Sequence, residues 1–358
     1  MESTPKNLKA RWEELKQTQP HLRIRNAADS LKVSEAELLA TRCGSDEVTR
    51  LLPAFKEILQ EVESLGKVMA LTRNNDVVHE RKGVYANASL ENPHVGLFVG
   101  EDIDLRIFFK SWDSAFAVTD TVRGKARYSL QFFAKDGEAI HKIYLTAKSN
   151  LDKYQALVTK YRHEDQSDLQ AVHAWDETVE EHPDENIDVA AFQKGWINLE
   201  DTHDFFGLVR KHKLTRTQAL RLAPAGNYAI KVNPQAFRKV VTLAAERNTP
   251  IMVFVGNKGM IQIHTGPVKK LLDHQDWFNI MDPDFNLHVK EPHLKDVWVV
   301  RKPTKDGVVT ALECFDAQGN QIVQLFGKRK PGIPELTAWQ EIIAEVEKET
   351  ALQESVNA

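Results

Sequence analysis

This chain repeats itself. The run from Phe132 to Ile140 matches the run from Cys314 to Ile322 at an offset of 182. Upstream the register holds: Asp104-Leu105-Arg106 falls on Asn286-Leu287-His288 and Phe116 on Trp298, while Pro53 and Phe55 lie 181 and 182 before Pro234 and Phe237. Val68-Met69 precedes Ile251-Met252 by 183. A duplication of this length constrains the fold before any other argument, because each copy must be a unit with the same order of elements.

Each half reads as helical patterns, then a long β-rich middle, then a closing helix. The middle stretches VMALTRNNDVVHERKGVYA and IMVFVGNKGMIQIHTGPV are β-branched and aromatic runs broken by Asn, Gly and Asp, the pattern of antiparallel strands and hairpins. Alternation turns back at Asp136-Gly137 and at Gln318-Gly319, which predicts hairpin turns there. Leu151, Tyr154, Leu157, Val158 and Tyr161 share their spacing with Leu336, Trp339, Ile342, Ile343 and Val346, an amphipathic stripe that packs a closing helix onto its sheet. The expected fold is α+β: two repeats of antiparallel β-sheet with flanking helices, over 1–163 and 191–358. Between them, 164–190 reads as an acidic linker. Glu164 to Asp188 carries ten acidic residues and no Lys or Arg, the mark of a solvated spacer with room for a short helix around Trp175.

Composition narrows the function classes. With 42% hydrophobic and 27% charged residues and no run near the roughly 20 apolar residues of a spanning helix, the chain argues against membrane insertion. Its first residues, MESTPKNLKARWEEL, lack the apolar stretch of a secretory signal, which predicts a cytoplasmic protein. Cys43 and Cys314 stand apart with no CxxC pair, so they read as small core residues. A net charge of −4 makes no global case for a nucleic-acid partner and leaves room only for a local basic patch. HExxH, GxSxG and P-loop motifs are absent, and the glycine-bearing stretch 256–259 lies in a strand and hairpin rather than opening a helix.

Duplicated chains show function where the copies differ. Aligning Lys32-Val33-Ser34 with Lys213-Leu214-Thr215 sets His212 opposite Leu31. Phe205, Leu208, Val209 and His212 recur at i, i+3, i+4 and i+7, which puts an imidazole on the apolar stripe of a helix. One reading is a core histidine satisfied by a backbone carbonyl. The other is a ligand to a metal at the centre of an apolar body, with Arg210, Lys211, Lys213 and Arg216 supplying cations for an anionic group. Haem meets that description. In the first half, alternation over Asp104 to Phe109 sets Asp104, Arg106 and Phe108 on one sheet face, either a floor for a flat acidic ligand or an ordinary solvated surface.

Four separated motifs then carry a resemblance: HDFFGLVRKHKLTRTQALRL; DLRIFFKSW; IMVFVGNKGMIQIHTG with WFNIMDPDFNLH; and WVVRKPTKDGVVTALECFDAQGNQIVQLFG. Together they resemble the cytoplasmic haemin-trafficking and haemin-degrading proteins encoded with bacterial haem-uptake systems, over nearly the whole chain. The likeness implies two repeats stacked as a pseudo-dimer, with one haem b in a cleft belonging mainly to the second half. By the same likeness His212 is the proximal iron ligand, Arg106 reaches the distal side, Phe108 and Phe254 face the ring, and Lys302 pairs with a propionate. The chain departs from the family at Phe326, where tyrosine is usual, and at Lys328, where glutamine is usual. A hydroxyl near the haem edge is thereby lost and a cation gained. The stretch after the His212 helix, AlaProAlaGlyAsnTyr, lacks the basic residue the family leads one to look for, leaving Arg216 or Arg221 as substitutes. His79 resembles a position some members use for a second, weaker haem, and reads more simply as an exposed strand histidine whose duplicate is Gln262.

Three functions follow as expectations. The first is a carrier that accepts imported haem through His212, with an inner-membrane haem importer or a haem oxygenase as partner, and delivers it to the oxygenase. The second is an enzyme that opens the porphyrin with O2 and external reductant. A third, a haem-responsive DNA-binding regulator, rests on the bihelical segments at 27–40 and 205–222, which equally pack as helices on their own sheet.

Overall fold

The computed structural model describes residues 7–175, 181–329 and 332–350. It divides into two compact units: one contains the described residues up to Arg73, 80–175 and 257–262, the other 74–79, 181–256 and the described residues from 263 onward. The strands belong to two antiparallel sheets of nine strands each. Within the first unit Val48–Leu51, Trp112–Val122, Lys125–Ala134, Ala139–Ser149 and Gly66–Arg73 lie side by side in that order. Within the second, Ala229–Val232, Asp296–Thr304, Gly307–Phe315, Gln321–Gly327 and Ile251–Asn257 repeat the arrangement strand for strand. The protein is thus α+β and internally duplicated.

Each large sheet is covered on both faces. In the second unit, Val240, Val241 and Ala244 of helix Ala236–Glu246 and Trp339, Ile342, Ile343 and Val346 of helix Thr337–Thr350 pack onto Val297, Val299, Leu312, Val323 and Leu325. Ile58 and Leu59 join Tyr154 and Leu157 over Ala115, Leu130, Phe132 and Ile143 in the first unit. The closing stripes fall where their spacing put them, except that Leu151 stays 37% exposed and Leu336 precedes its helix. Cys43 and Cys314 are buried and free, with burial pushing both thiols up.

The opposite sheet faces carry short helices whose seating is also duplicated. Helices Ile24–Leu31 and Asp204–Lys211 both run into a lysine with left-handed backbone, Lys32 directly at φ 56° and Lys213 one residue further on, after His212, at φ 54°. After each lysine the next amide reaches back five residues, Val33 to the Ala28 carbonyl and Leu214 to the Val209 carbonyl, both at 3.1 Å. This closure satisfies carbonyls that the helix end would leave unpaired. The next helices start on the hairpin turns named above: Gly137 has φ 77°, and a Cβ there would meet Ser34 Oγ, the cap of helix Glu35–Ala40, at 2.1 Å.

The acidic linker is pinned at both described ends rather than free. Gln166 accepts from the Arg50 amide and donates to its carbonyl, both at 2.9 Å, while the Trp175 ring lies under Lys135 and Lys258. On the other side of the gap, Glu181 and Asp184 hold Arg221. No helix forms over 162–175, and 176–180 lie outside the described residues. The short helical turn falls instead at Asp184–Asn186.

Inside the first core, Thr72, His141 and Tyr85 form a hydrogen-bonded chain, Thr72 Oγ1 to His141 Nδ1 at 2.9 Å and His141 Nε2 to Tyr85 Oη at 2.6 Å, all fully buried. The aligned residues of the second copy are Val255, Val323 and Val268. Burial holds the His141 pKa down at about 3, so acid favours the unfolded chain, whose histidine takes up a proton near 6.5. Stability from this group is full above about pH 6.5 and falls by about 1.4 kcal/mol per pH unit as pH drops toward 3. Glu35 and Glu313, held at about 2, lose their contributions only below about pH 4.5. Between pH 6.5 and 4.5 the variant Thr72→Val/Tyr85→Phe/His141→Leu is therefore expected to lose stability about one proton less steeply than wild type, measured by urea unfolding across that range.

Candidate functional site

Helix Asp204–Lys211 buries Phe205 and Val209 and half-buries Leu208, with Asp204 in its first turn and Arg210 and Lys211 in its last, each charge matching the helix dipole. His212 is the residue just past its end, with its amide on the Leu208 carbonyl at 3.2 Å. The ring is half-buried at the rim of the apolar stripe rather than in it, edge-on to Phe192 at 5.7 Å. Among the described residues neither ring nitrogen makes a hydrogen bond. Among the described residues, no carbonyl satisfies the ring as it would a core histidine. Leu31, at the same place in the first copy, packs against the cluster of Trp12, Ala28 and Leu38.

Below this helix lies one face of the second sheet. Pairing sets Trp298, Glu313, Gln324 and Phe254 in one row and Val300, Ala311, Phe326 and Met252 in the next. Phe254 and Phe326 are half-buried with ring centroids 4.9 Å apart, an apolar platform on the face that the Phe205 and Val209 helix covers at its other end. A tyrosine at 326 would add a hydroxyl to that platform; this chain keeps it apolar.

Lys302, which the likeness pairs with a propionate, is engaged within the fold. It is 4% exposed and its ammonium sits 3.0 Å from Glu313 Oε1. Burial pushes it down to about 8 despite Glu313, with Arg216 pushing the same way. Arg216 is also committed, bidentate to Glu313 at 2.9 and 2.6 Å, and Arg221 is held by Glu181 and Asp184. The uncommitted cations near His212 are Arg210, Lys211 and Lys213, which have no ion pair among the described residues; Lys328, at the end of the Phe326 strand, is exposed.

In the first unit the strand is Asp104–Phe108, with Leu105 and Ile107 buried and Asp104, Arg106 and Phe108 half-exposed on the other face as alternation requires. Phe109 leaves the strand for a 3-10 turn. Arg106 forms an ion pair with Asp104, whose pKa burial raises against the pull of that arginine. His79 is wholly buried, edge-on to Phe285 at 5.1 Å, so the exposed strand histidine is corrected, and an iron there would require that core to open. Sequence reasoning passed over Glu313. The signal was in the alignment of the copies, where Arg216 stands opposite Glu35.

The family model described as the haemin-degrading HemS.ChuX domain matches residues 32–161 and again 213–346. The chain belongs to this family. The two HemS.ChuX matches open at Lys32 and Lys213, the aligned left-handed turns described above. Over 95% of this chain and 97% of its own length, the hemin transport protein HemS of Yersinia enterocolitica is 37% identical. Among solved structures, holo-PhuS, a heme-binding protein from Pseudomonas aeruginosa, superposes with a TM-score of 0.93 at 44% identity, covering 98% of this chain and all of its own. ChuS, an E. coli heme oxygenase, superposes with a TM-score of 0.85 at 34% identity, covering 95% of this chain and 99% of its own.

Removing a half-exposed ring that makes no hydrogen bond among the described residues costs the fold little. His212→Ala is expected to shift stability by no more than about 0.5 kcal/mol, read as an unchanged urea midpoint; a large loss would return His212 to a structural role.

Proposed function

We propose that this protein is a cytoplasmic haem carrier that takes one haem b through His212 and passes it to a haem oxygenase. The observation that carries the reading is the half-exposed imidazole at a helix end, with no hydrogen bond at either nitrogen among the described residues and with Arg210, Lys211 and Lys213 beside it, which have no ion pair among those residues. Such a ligand can bond iron without giving up an internal hydrogen bond, and can be displaced by a partner's ligand without unfolding its helix. Phe254 and Phe326 would pack the porphyrin, with Arg210, Lys211, Lys213 and Lys328 as candidate propionate partners. On the family likeness, Arg106 and Phe108 are proposed as further haem contacts. Support for transport over degradation comes from the description of HemS, 37% identical over 95% of this chain, as a hemin transport protein. The ChuS description as a heme oxygenase keeps one second reading, an enzyme that opens the porphyrin with O2 and an external reductant.

A haem titration followed by absorption spectroscopy separates these readings. Wild type is expected to give a Soret band that His212→Ala shifts and weakens, with affinity lower by about tenfold or more. An unchanged spectrum in His212→Ala would remove the iron assignment. Ascorbate in air with catalase present is then expected to leave the wild-type Soret band in place, whereas bleaching into a bilin-like product would establish the enzyme.

A further inference from the structure

We propose that Glu313 is a positioning residue for His212, acting through a continuous packed path from the sheet to the imidazole; this rests on reading His212 as the haem ligand. Glu313 lies on the sheet face below the helix end, fully buried, and four donors meet it: Arg216 through two nitrogens, Lys302 at 3.0 Å and Gln321 at 3.2 Å. Both cations also lie over one ring, Phe205, with the Arg216 guanidinium carbon 4.5 Å and the Lys302 nitrogen 5.0 Å from its centroid. Phe205 packs on Trp196 at 4.4 Å, Trp196 on Phe192 at 5.8 Å, and Phe192 on His212 at 5.7 Å. Trp196 is fixed in turn, donating its indole N–H to the Arg301 carbonyl at 3.0 Å. Arg216 opens the helix after the His212 turn and Phe205 lies in the helix before it, so one carboxylate anchors both sides of that turn.

The first copy shows that the position is tuned and not merely inherited. There the helix supplies the acid, Glu35, and the sheet side supplies two cations, Lys142 and Arg73. In the second copy the helix supplies the cation, Arg216, opposite Glu35 in the alignment, and the sheet supplies the acid. Both clusters carry two cations over one carboxylate. The sign of the helix residue is reversed, and only the copy with the reversed sign has a histidine at the turn.

The test compares haem loss to an excess of a haem scavenger, and the ferric absorption and EPR spectra, for wild type, Glu313→Gln, Arg216→Met and the double variant Arg216→Glu/Glu313→Arg. The double variant exchanges the signs, giving a helix acid and two sheet cations as in the first copy, although at different sheet positions. Each single variant is expected to lose haem about tenfold faster or more, as partners that orient metal ligands typically cost, with altered axial-ligand spectra. The double variant is expected to recover most of both. Wild-type rates and spectra in the single variants, or a folded double variant no better than the singles, would overturn the proposal. Should the Glu313 variants or Arg216→Met fail to fold, Arg216→Lys, which keeps a cation at the buried carboxylate and gives up the bidentate pairing, decides the matter alone. His212→Ala in the same assay isolates the underlying reading: no effect there defeats both, whereas an effect there with none at Glu313 and Arg216 defeats only this proposal.

Discussion

A carboxylate with no access to water is the constraint on which the second unit's arrangement depends. Taking Glu313 out of solvent costs several kcal/mol, a penalty that only well-placed cations and donors offset. Burial alone would raise its pKa, yet Arg216 and Lys302 hold it at about 2, so it stays charged. A charge of that kind accepts few arrangements of the helices above it. Apolar packing of Phe205 and Val209 would tolerate sliding along the sheet, whereas a bidentate guanidinium fixes one seating. What that seating presents at the rim is the end of a helix, and at the end of the helix is His212.

The two copies use the same scaffold for different ends. Their sheets, covering helices, left-handed lysine turns and hairpin glycines coincide, which leaves the differing positions to carry the difference in role. One copy has Leu31 against an apolar cluster and a buried Thr72–His141–Tyr85 chain in its core. The other has His212 at a half-open rim and three valines in place of that chain.

Much of this was legible in the residues. Repeat spacing located both sheets, the hairpin turns and the closing helices, because alternation and i, i+3, i+4 stripes record which side of an element faces the core. The lysine alignment singled out His212. What spacing could not supply was depth. A β-strand pattern says that His79 and Val77 share a face but not that the face is covered, so His79 read as exposed and is buried. Lys302 and Arg216 read as free cations because the partner they share, Glu313, is 97 residues from Arg216 and on the other strand of a hairpin from Lys302. The acidic linker read as a spacer for the same reason: Arg50 and Lys258, which grip it, lie far along the chain.

The central claim is that the helix-end imidazole of His212, and no other side chain of this protein, holds the iron. The most direct measurement is a crystal structure of the haem-loaded protein at a one-to-one ratio. Iron is expected at bonding distance from a His212 ring nitrogen, with the porphyrin against Phe254 and Phe326 and Glu313 still bound to Arg216. Iron bonded to any other residue, or a haem lying away from His212, would contradict it.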